Sequence, residues 1–298
     1  MQAGMAAPAG PCECEWEVDG LRLTGLAWGP EDGTPVLALH GWMDHADSFR
    51  ELAPRLTGCR VVAIDLSGQG LSAHRAAHAT YNIWDDLPQI AELLDRLGWK
   101  DCVLVGHSRG AIIATLFTAA QPETVRALVA LDSLAPEPAE PGSFVPTLRA
   151  FIEQTRKQKA RPPRTFGTRA DYVERRRTQG NSVEASEALA DRALEEGPEG
   201  FRMRGDARLF ASSAVKLTGD HVEAVLQAIR CPVLNIWAGD GIRSRRPAAD
   251  AMARLGETLI PRYETAQVPG DHHFHLDPDG ASATAEAILD FLDRHHAR

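Results

Sequence analysis

A nucleophilic serine is the first chemistry that this sequence suggests. Residues 106–110 read Gly-His-Ser-Arg-Gly and match the pattern Gly-x-Ser-x-Gly. The apolar run over 102–106 is typical of a buried strand, and the apolar run over 111–120 is typical of a helix. A sharp turn from strand to helix would hold the Ser108 hydroxyl above the helix N-terminus, where a developing negative charge is stabilised. The pattern therefore predicts acyl transfer through a serine.

Three other motifs lie in loops that would surround such a serine. His-Gly-Trp at 40–42 ends one predicted strand, Asp65–Ser72 follows another, and Gly-Asp-His at 270–272 precedes the final predicted helix. Together with the serine pattern, they resemble the α/β-hydrolase superfamily over nearly the whole chain. Within that superfamily the chain is similar to the serine hydrolase-like proteins in the segments HGWMDHADSF, DLSGQGLSAH, GHSRG, LDS, RGDARL and VPGDHHFH.

The resemblance implies roles for several residues. Ser108 is then the nucleophile, and His272 is the base that removes its proton, since a hydroxyl is a weak nucleophile until a base does so. The backbone N–H groups of Trp42 and Arg109 are expected to form the oxyanion hole, and Trp42 and His107 to line the substrate pocket. This chemistry needs no organic cofactor and no metal, so we expect neither.

The acid that orients the histidine has two candidates. The commoner family position falls at Gly241 or Ile242 in this sequence, so Asp240 stands one or two residues short of it. Asp132, at the end of an earlier strand, occupies the position that some relatives use instead, including certain haloalkane dehalogenases. We expect Asp132 to be the acid, with Asp240 as the alternative.

Other charged residues have structural interpretations. The Arg109 side chain either pairs with a buried acid or reaches the pocket and receives an anionic group. Asp65 is expected to cap or tie its turn. The run Arg-Arg-Arg at 175–177 is interpreted as a solvated helix face.

The elements that position these residues alternate along the chain. Apolar runs predict strands at 14–18, 21–28, 36–42, 60–67, 101–108, 127–133 and 233–239. Helical patterns lie at 48–56, 81–97, 109–121 and 281–296, with Pro88 in the first turns of the second or kinking it. The first two strands are expected to form a hairpin through Asp19-Gly20. Strands that alternate with helices predict an α/β protein with a mostly parallel, doubly wound sheet, the α/β-hydrolase fold.

The alternation stops after Ser133 and resumes near Cys231. Helical segments fill the interval, which predicts a helical lid over 134–218 inserted into a core of 1–133 and 219–298. Residues 144–210 carry 14 Arg or Lys against 10 Asp or Glu, whereas the rest of the chain is strongly acidic. A lid favours an enclosed, largely apolar pocket, and its excess positive charge would favour acidic substrates.

Composition restricts the partners. The chain has 298 residues and a formal net charge of −9, which argues against a protein that coats nucleic acid. No apolar run is long enough to span a bilayer, and the first residues do not resemble a signal peptide. Five scattered cysteines suit the reducing cytoplasm, and Cys12 with Cys14 lacks the second pair of a metal site. We expect a cytoplasmic protein with a small-molecule substrate; the oligomeric state stays open.

These features favour a serine hydrolase that cleaves a small or medium carboxylic ester. The same fold and triad could instead act on a C–C, thioester or amide bond, or as a perhydrolase, because pocket residues determine that choice. A non-catalytic binding protein is the alternative from a different class. A nucleophilic serine, rather than an aspartate, argues against haloalkane dehalogenase and epoxide hydrolase chemistry.

Overall fold

Continuous apolar runs become the inner strands of an eight-stranded sheet. The computed structural model describes residues 10–298, so the expectation for residues 1–9 lies outside it. The strands are β1 (Cys12–Val18), β2 (Leu21–Trp28), β3 (Thr34–Leu39), β4 (Cys59–Ile64), β5 (Cys102–His107), β6 (Val125–Leu131), β7 (Thr165–Phe166), β8 (Leu194–Gly197), β9 (Gly200–Met203), β10 (Val233–Ala238) and β11 (Tyr263–Val268). The order in the main sheet is β1-β2-β4-β3-β5-β6-β10-β11, and all pairs from β4 to β11 are parallel.

Helices cover both faces of this sheet. They are α1 (Leu87–Leu97), α2 (Arg109–Ala120), α3 (Phe144–Lys159), α4 (Arg169–Arg177), α5 (Val183–Ala193), α6 (Gly219–Ala228), α7 (Ile242–Arg245), α8 (Pro247–Leu259) and α9 (Pro278–Arg294). Leu37 and Leu39 of β3 pack with α1 and α2, whereas Val36 and Ala38 pack with α9 on the other face. Neighbouring residues of a strand point to opposite faces, so a strand buried on both sides must be apolar throughout. The predicted doubly wound sheet is confirmed.

Local signals place several elements as expected. Asp19 and Gly20 have φ of 54° and 66° and connect β1 to β2, as the hairpin prediction requires. Pro88 lies in the first turn of α1, where its missing N–H has no helical partner to lose.

One local prediction is wrong, and one strand has no prediction. The helix expected over 48–56 is replaced by short 3-10 turns at Ala46–Phe49 and Ala53–Arg55, because Pro54 cannot donate the hydrogen bond that would continue a helix. Strand β11 was not predicted, since its residues alternate in burial along the edge of the sheet and form no continuous apolar run.

The segment between β6 and α6, called the insert (residues 134–218), contains more than the predicted helices. Besides α3, α4 and α5 it holds a three-stranded antiparallel sheet in the order β7-β9-β8. Helix α5 ends at Ala193, and the chain then enters β8, so the predicted helical content of the insert is incomplete. Within residues 10–298, no helix combines the length and apolarity needed to cross a membrane.

Candidate active site

The Gly-x-Ser-x-Gly segment forms a strained turn between β5 and α2. Ser108 has φ 53° and ψ −116°, a conformation that side-chain-bearing residues rarely adopt. A Cβ on Gly106 would lie 2.5 Å from the Gly110 carbonyl oxygen, and a Cβ on Gly110 would lie 2.0 Å from that of Leu39. Both flanking positions therefore need glycine for close packing. The half-buried Ser108 is held at the tip of the turn, as the motif predicts.

His272 and Asp132 lie side by side in two other loops of the sheet. His272 Nδ1 is 2.7 Å from Asp132 Oδ2, and the aspartate is completely buried. A carboxylate only accepts hydrogen bonds, so the neutral imidazole carries its proton on Nδ1 and leaves Nε2 free as a base. The side chain of His272 keeps about a fifth of its surface exposed. This is the arrangement that a serine hydrolase requires of its histidine and acid.

Asp132 occupies a position that backbone groups prepare for a carboxylate. Its φ is 49°, and its oxygens accept the N–H groups of Ala238 at 3.2 Å and Ile242 at 2.8 Å. A Cβ on Gly241 would lie 2.3 Å from Asp132 Oδ1, so this carboxylate fills the space that an acid at 241 would use. Asp240 is exposed, and its carboxylate accepts no hydrogen bond from residues 10–298.

The loop after β3 presents Trp42 with its backbone N–H unpaired. The imidazole of His40 bonds the Gly41 carbonyl at 2.7 Å and accepts the Leu66 N–H at 3.0 Å. Gln69 Oε1 accepts the Met43 N–H at 2.6 Å. These bonds fix the loop on both sides of Trp42. In the described part of the chain, no group accepts a hydrogen bond from the backbone N–H of Trp42, and the same holds for Arg109 at the start of α2.

The Arg109 side chain points away from this chemistry. Its guanidinium lies 3.2 Å from the buried Asp86, which also pairs with Arg75 at 3.2 Å. Burial raises the pKa of Asp86, and the two guanidinium groups offset that effect in part. Of the two interpretations of Arg109, the structure shows pairing with a buried acid.

His107 does not line a pocket, which corrects the prediction. It is completely buried, and its Nε2 lies 2.8 Å from the His272 carbonyl oxygen. Because a carbonyl only accepts, His107 is the donor, and it holds the backbone of His272 in place. As the last residue of β5, His107 lies beneath the strained turn that presents Ser108.

A buried polar cluster surrounds His107, and the sequence did not reveal it. Asp44 Oδ2 lies 3.0 Å from His273 Nε2 and 3.7 Å from His107 Nδ1. Asp44 Oδ1 accepts a hydrogen bond of 2.7 Å from Arg176 of the insert. Arg176 is 7% exposed, so the interpretation of 175–177 as a solvated face is wrong at this residue. Asp44 stands in the HGWMDH segment, and a search there for acids near strand ends would have marked it.

Burial and neighbouring charges shift the pKa values of Asp44, His107 and the adjacent His275. Burial opposes the ionisation of Asp44, but His273 and Arg176 outweigh it and hold the Asp44 pKa well below its usual range. Burial lowers the pKa of His107 to about 4 and that of His275 well below the usual value. Neither ring nitrogen of His275 has a hydrogen-bond partner within residues 10–298.

Asp44, His107 and His273 also place three possible metal ligands within 4.8 Å of one another. The guanidinium of Arg176 already neutralises the carboxylate of Asp44. A metal ion there would stand beside that positive charge, so the geometry favours a hydrogen-bonded network.

Comparisons with known proteins identify the fold and the family. The model of the α/β-hydrolase-fold family matches residues 34–279. A serine hydrolase-like protein from Dictyostelium discoideum is 30% identical over 289 residues, which cover 92% of this chain and 79% of that protein. The structure of a hypothetical protein from Pseudomonas aeruginosa is 37% identical with a TM-score of 0.89, covering 95% of this chain and 99% of that one. A thioesterase domain from the curacin biosynthetic pathway is 26% identical with a TM-score of 0.80, covering 94% and 100%.

The family match and the structural likeness both extend over most of the chain, including the strands and loops that carry Ser108, Asp132 and His272. The mostly parallel sheet with flanking helices is the fold that the sequence motifs predicted. The protein belongs to the α/β-hydrolase family, and it is similar over most of its length to proteins named serine hydrolase-like.

Proposed function

We propose that this hydrolase cleaves a small or medium carboxylic ester through an acyl-enzyme on Ser108. The observation that carries the proposal is the 2.7 Å contact between His272 Nδ1 and the buried Asp132 carboxylate. That contact leaves His272 Nε2 as the base in the same set of loops that exposes the Ser108 hydroxyl. The strained turn at Ser108 and the unpaired N–H groups of Trp42 and Arg109 support it.

Each group then has one task. His272 takes the proton of Ser108 as its oxygen attacks the ester carbonyl, and the two backbone N–H groups stabilise the oxyanion. His272 returns the proton to the leaving alcohol, and water releases the acyl group by the same steps. Each oxyanion donor is worth on the order of 10²–10³ in rate. Asp132 holds the imidazole in the required tautomer.

We further propose that the insert acts as a lid. Its Trp42-facing residues include Phe210, whose ring meets Trp42 edge-on with centroids 4.8 Å apart. The Trp42 indole N–H also donates to the Leu209 carbonyl at 3.1 Å. These contacts place the insert against the loop that would form the oxyanion hole.

Hydrolysis of p-nitrophenyl esters of increasing acyl length tests the proposal. Ser108→Ala should lower kcat by about 10⁶-fold, because nothing else supplies the nucleophile. Ser282→Ala, at a partly buried serine on α9 outside the proposed site, is the control and should leave turnover unchanged. A fluorophosphonate probe should label the wild type and not Ser108→Ala. Absence of both turnover and labelling would reject the enzyme and favour a binding protein.

Thioester hydrolysis is the second candidate, supported by the likeness to a thioesterase domain at 26% identity. It uses the same acyl-enzyme and differs in the leaving group. Oxygen esters and thioesters that share one acyl group should be compared for kcat/KM. Both substrates form the same acyl-enzyme, so kcat/KM compares only the steps up to its formation. Under the ester proposal kcat/KM is higher for the oxygen ester. A higher kcat/KM for the thioester would replace that proposal.

A further inference from the structure

A small cavity lies between the insert and Trp42. Its volume is about 170 Å³, below the roughly 300–1,000 Å³ of sites that hold a whole drug-sized ligand. Trp42 and Phe210 form part of its wall. Trp42 belongs both to this cavity and to the proposed oxyanion hole, so the cavity adjoins the loop where we propose that the ester carbonyl binds.

The wall is largely apolar, as expected, but it also carries four arginines. They are Arg161, Arg164, Arg175 and Arg176, and among residues 10–298 no aspartate or glutamate lines the cavity. Arg161 and Arg164 lie between α3 and β7, and Arg175 lies on α4. Four of the positive charges of the insert thus lie at this cavity.

Three of these arginines lack a carboxylate partner in the described residues, unlike Arg176 and the neighbouring Arg177. Arg177 pairs with Glu174 at 2.8 Å, whereas Arg161, Arg164 and Arg175 have no carboxylate partner in residues 10–298. Burial, together with the neighbouring Arg175 and Arg161, lowers the pKa of the Arg164 guanidinium. Like charges held this close repel one another, and a bound anion would relieve the repulsion.

Two buried donors at the cavity are also unpaired. Tyr172 and Arg176 both line it, at 1% and 7% exposure. The Tyr172 hydroxyl and the Arg176 Nε–H have no hydrogen-bond partner within the described part of the chain. Buried donors without acceptors are rare in proteins, so these two suggest that an acceptor is missing.

We propose that this cavity binds an oxyanion, a carboxylate or a phosphate, at the far end of the substrate. The inference rests on the proposed function, because it places that end relative to the ester bond cleaved at Ser108. Guanidinium groups suit such a ligand, since their planar N–H pairs match the oxygens of carboxylates and phosphates. The preferred substrates are therefore acidic esters.

Two esters of equal length provide the test. The p-nitrophenyl monoester of adipic acid ends in a carboxylate, and p-nitrophenyl hexanoate ends in a methyl group; rates are corrected with Ser108→Ala. Wild-type kcat/KM should be higher for the acidic ester. Arg164→Gln should lower kcat/KM for the acidic ester by about 10- to 100-fold, the range of a hydrogen bond to a charged group. The same change should leave the hexanoate ester unaffected.

Arg161→Gln serves as a second variant with the same expected direction. Arg177→Gln is the matched control, because Arg177 is exposed on the same helix as Arg175 and pairs with Glu174. It should leave both esters unaffected. If Arg164→Gln and Arg161→Gln change both esters equally, or neither, the inference is overturned while the proposed function stands.

Direct binding separates the inference from the proposed function. Adipate and inorganic phosphate are titrated into Ser108→Ala and into Ser108→Ala with Arg164→Gln, by calorimetry. Tighter binding to the single variant by about tenfold or more supports the inference even if no ester is turned over. The anion that binds more tightly identifies the carboxylate or the phosphate. Equal binding to both proteins by both anions overturns the inference.

Discussion

The strand ends and the insert hold their functional residues by different physical means. Ser108 and Asp132 both have positive φ and are fixed by backbone contacts within a few ångströms. The insert is attached to the core by charged side chains: Arg176 bonds Asp44, and Arg192 bonds Asp65 at 2.8 Å. The first region is therefore rigid by packing and the second by buried ion pairs.

This difference separates two kinds of sensitivity. We expect the buried Asp132 carboxylate, which accepts two backbone N–H groups, to act in the reaction. Changing it should therefore lower turnover more than it lowers stability. A buried ion pair across the two regions determines how they fit, so breaking it should affect stability first.

Among the residues that support the proposed nucleophile, the largest effect is expected at the acid. Asp132→Asn should lower kcat by about 10⁴-fold, because an amide cannot stabilise the imidazolium and favours the wrong tautomer. Asp240→Asn should leave kcat unchanged, since its side chain is exposed and apart from His272. Steady-state kinetics with a p-nitrophenyl ester measures both. Loss of activity in Asp240→Asn alone would show that the acid is misplaced.

Moving the aspartate from position 132 to position 241 tests the same site by restoring a carboxylate rather than removing one. A Cβ on Gly241 would meet the Asp132 carboxylate at 2.3 Å, so the two positions compete for one space. The double variant Asp132→Gly with Gly241→Asp should recover part of the activity that Asp132→Gly loses. Glycine also suits the φ of 49° at position 132. No recovery would mean that the neighbouring N–H donors serve only Asp132.

The next effect is expected where the insert meets the core. Arg176→Met leaves the Asp44 carboxylate buried beside two histidines without its guanidinium partner. Removing one member of a buried pair costs about 3–5 kcal/mol. The free energy of unfolding in urea should fall by that amount. Arg177→Met, at an exposed pair on the same helix, should change it by less than about 1 kcal/mol.

A double-mutant cycle with Asp44→Asn tests whether the loss at Arg176 belongs to this pair. If the two changes together cost about as much as Arg176→Met alone, the interaction is shared. Strict additivity would contradict the assignment of Asp44 and Arg176 as partners.

Most of the sheet could be predicted because its signals are local, and so could the loops that carry Ser108, Asp132 and His272, whose triad roles stay a prediction. A strand, a turn and a helix within about fifteen residues place Ser108, and the final loop before α9 places His272. For the acid, the sequence left two strand ends as candidates. In the structure, the space beside Gly241 is occupied by the Asp132 carboxylate, so it has room for one carboxylate only.

The insert could not be predicted to the same degree, because its contacts are distant in sequence. Asp44 and Arg176 are 132 residues apart, and Arg176 stands between two exposed arginines that make it look solvated. The small sheet of the insert arises from short, mostly exposed segments such as β8, which carry no apolar run. The buried role of His107 depends equally on a partner 165 residues away.

The buried histidines should make stability depend on pH. Burial lowers the folded-state pKa of His107 to about 4, whereas an unfolded histidine has a pKa near 6.5. Between these values the unfolded chain binds a proton that the folded protein excludes, so stability falls as pH falls through this window. The loss in unfolding free energy that His107 causes approaches about 3 kcal/mol near pH 4. Above about pH 6.5 this loss vanishes.

His275 gives the smallest and most selective test of that dependence. Both its ring nitrogens are buried without partners, so His275→Met removes no hydrogen bond and fills a similar volume. At about pH 7.5 the unfolding free energy should stay close to that of the wild type. As pH falls from 6.5 to 5.5, the unfolding free energy of the variant should rise by about 1 kcal/mol relative to that of the wild type. The reason is that the variant lacks the imidazole at 275, which takes up a proton only when the chain unfolds. His78→Met, at an exposed histidine, should show no such gain. Parallel pH curves for His275→Met and the wild type would mean that the folded protein accommodates a charge at 275, and the buried cluster would then be less rigid than the strand ends above it.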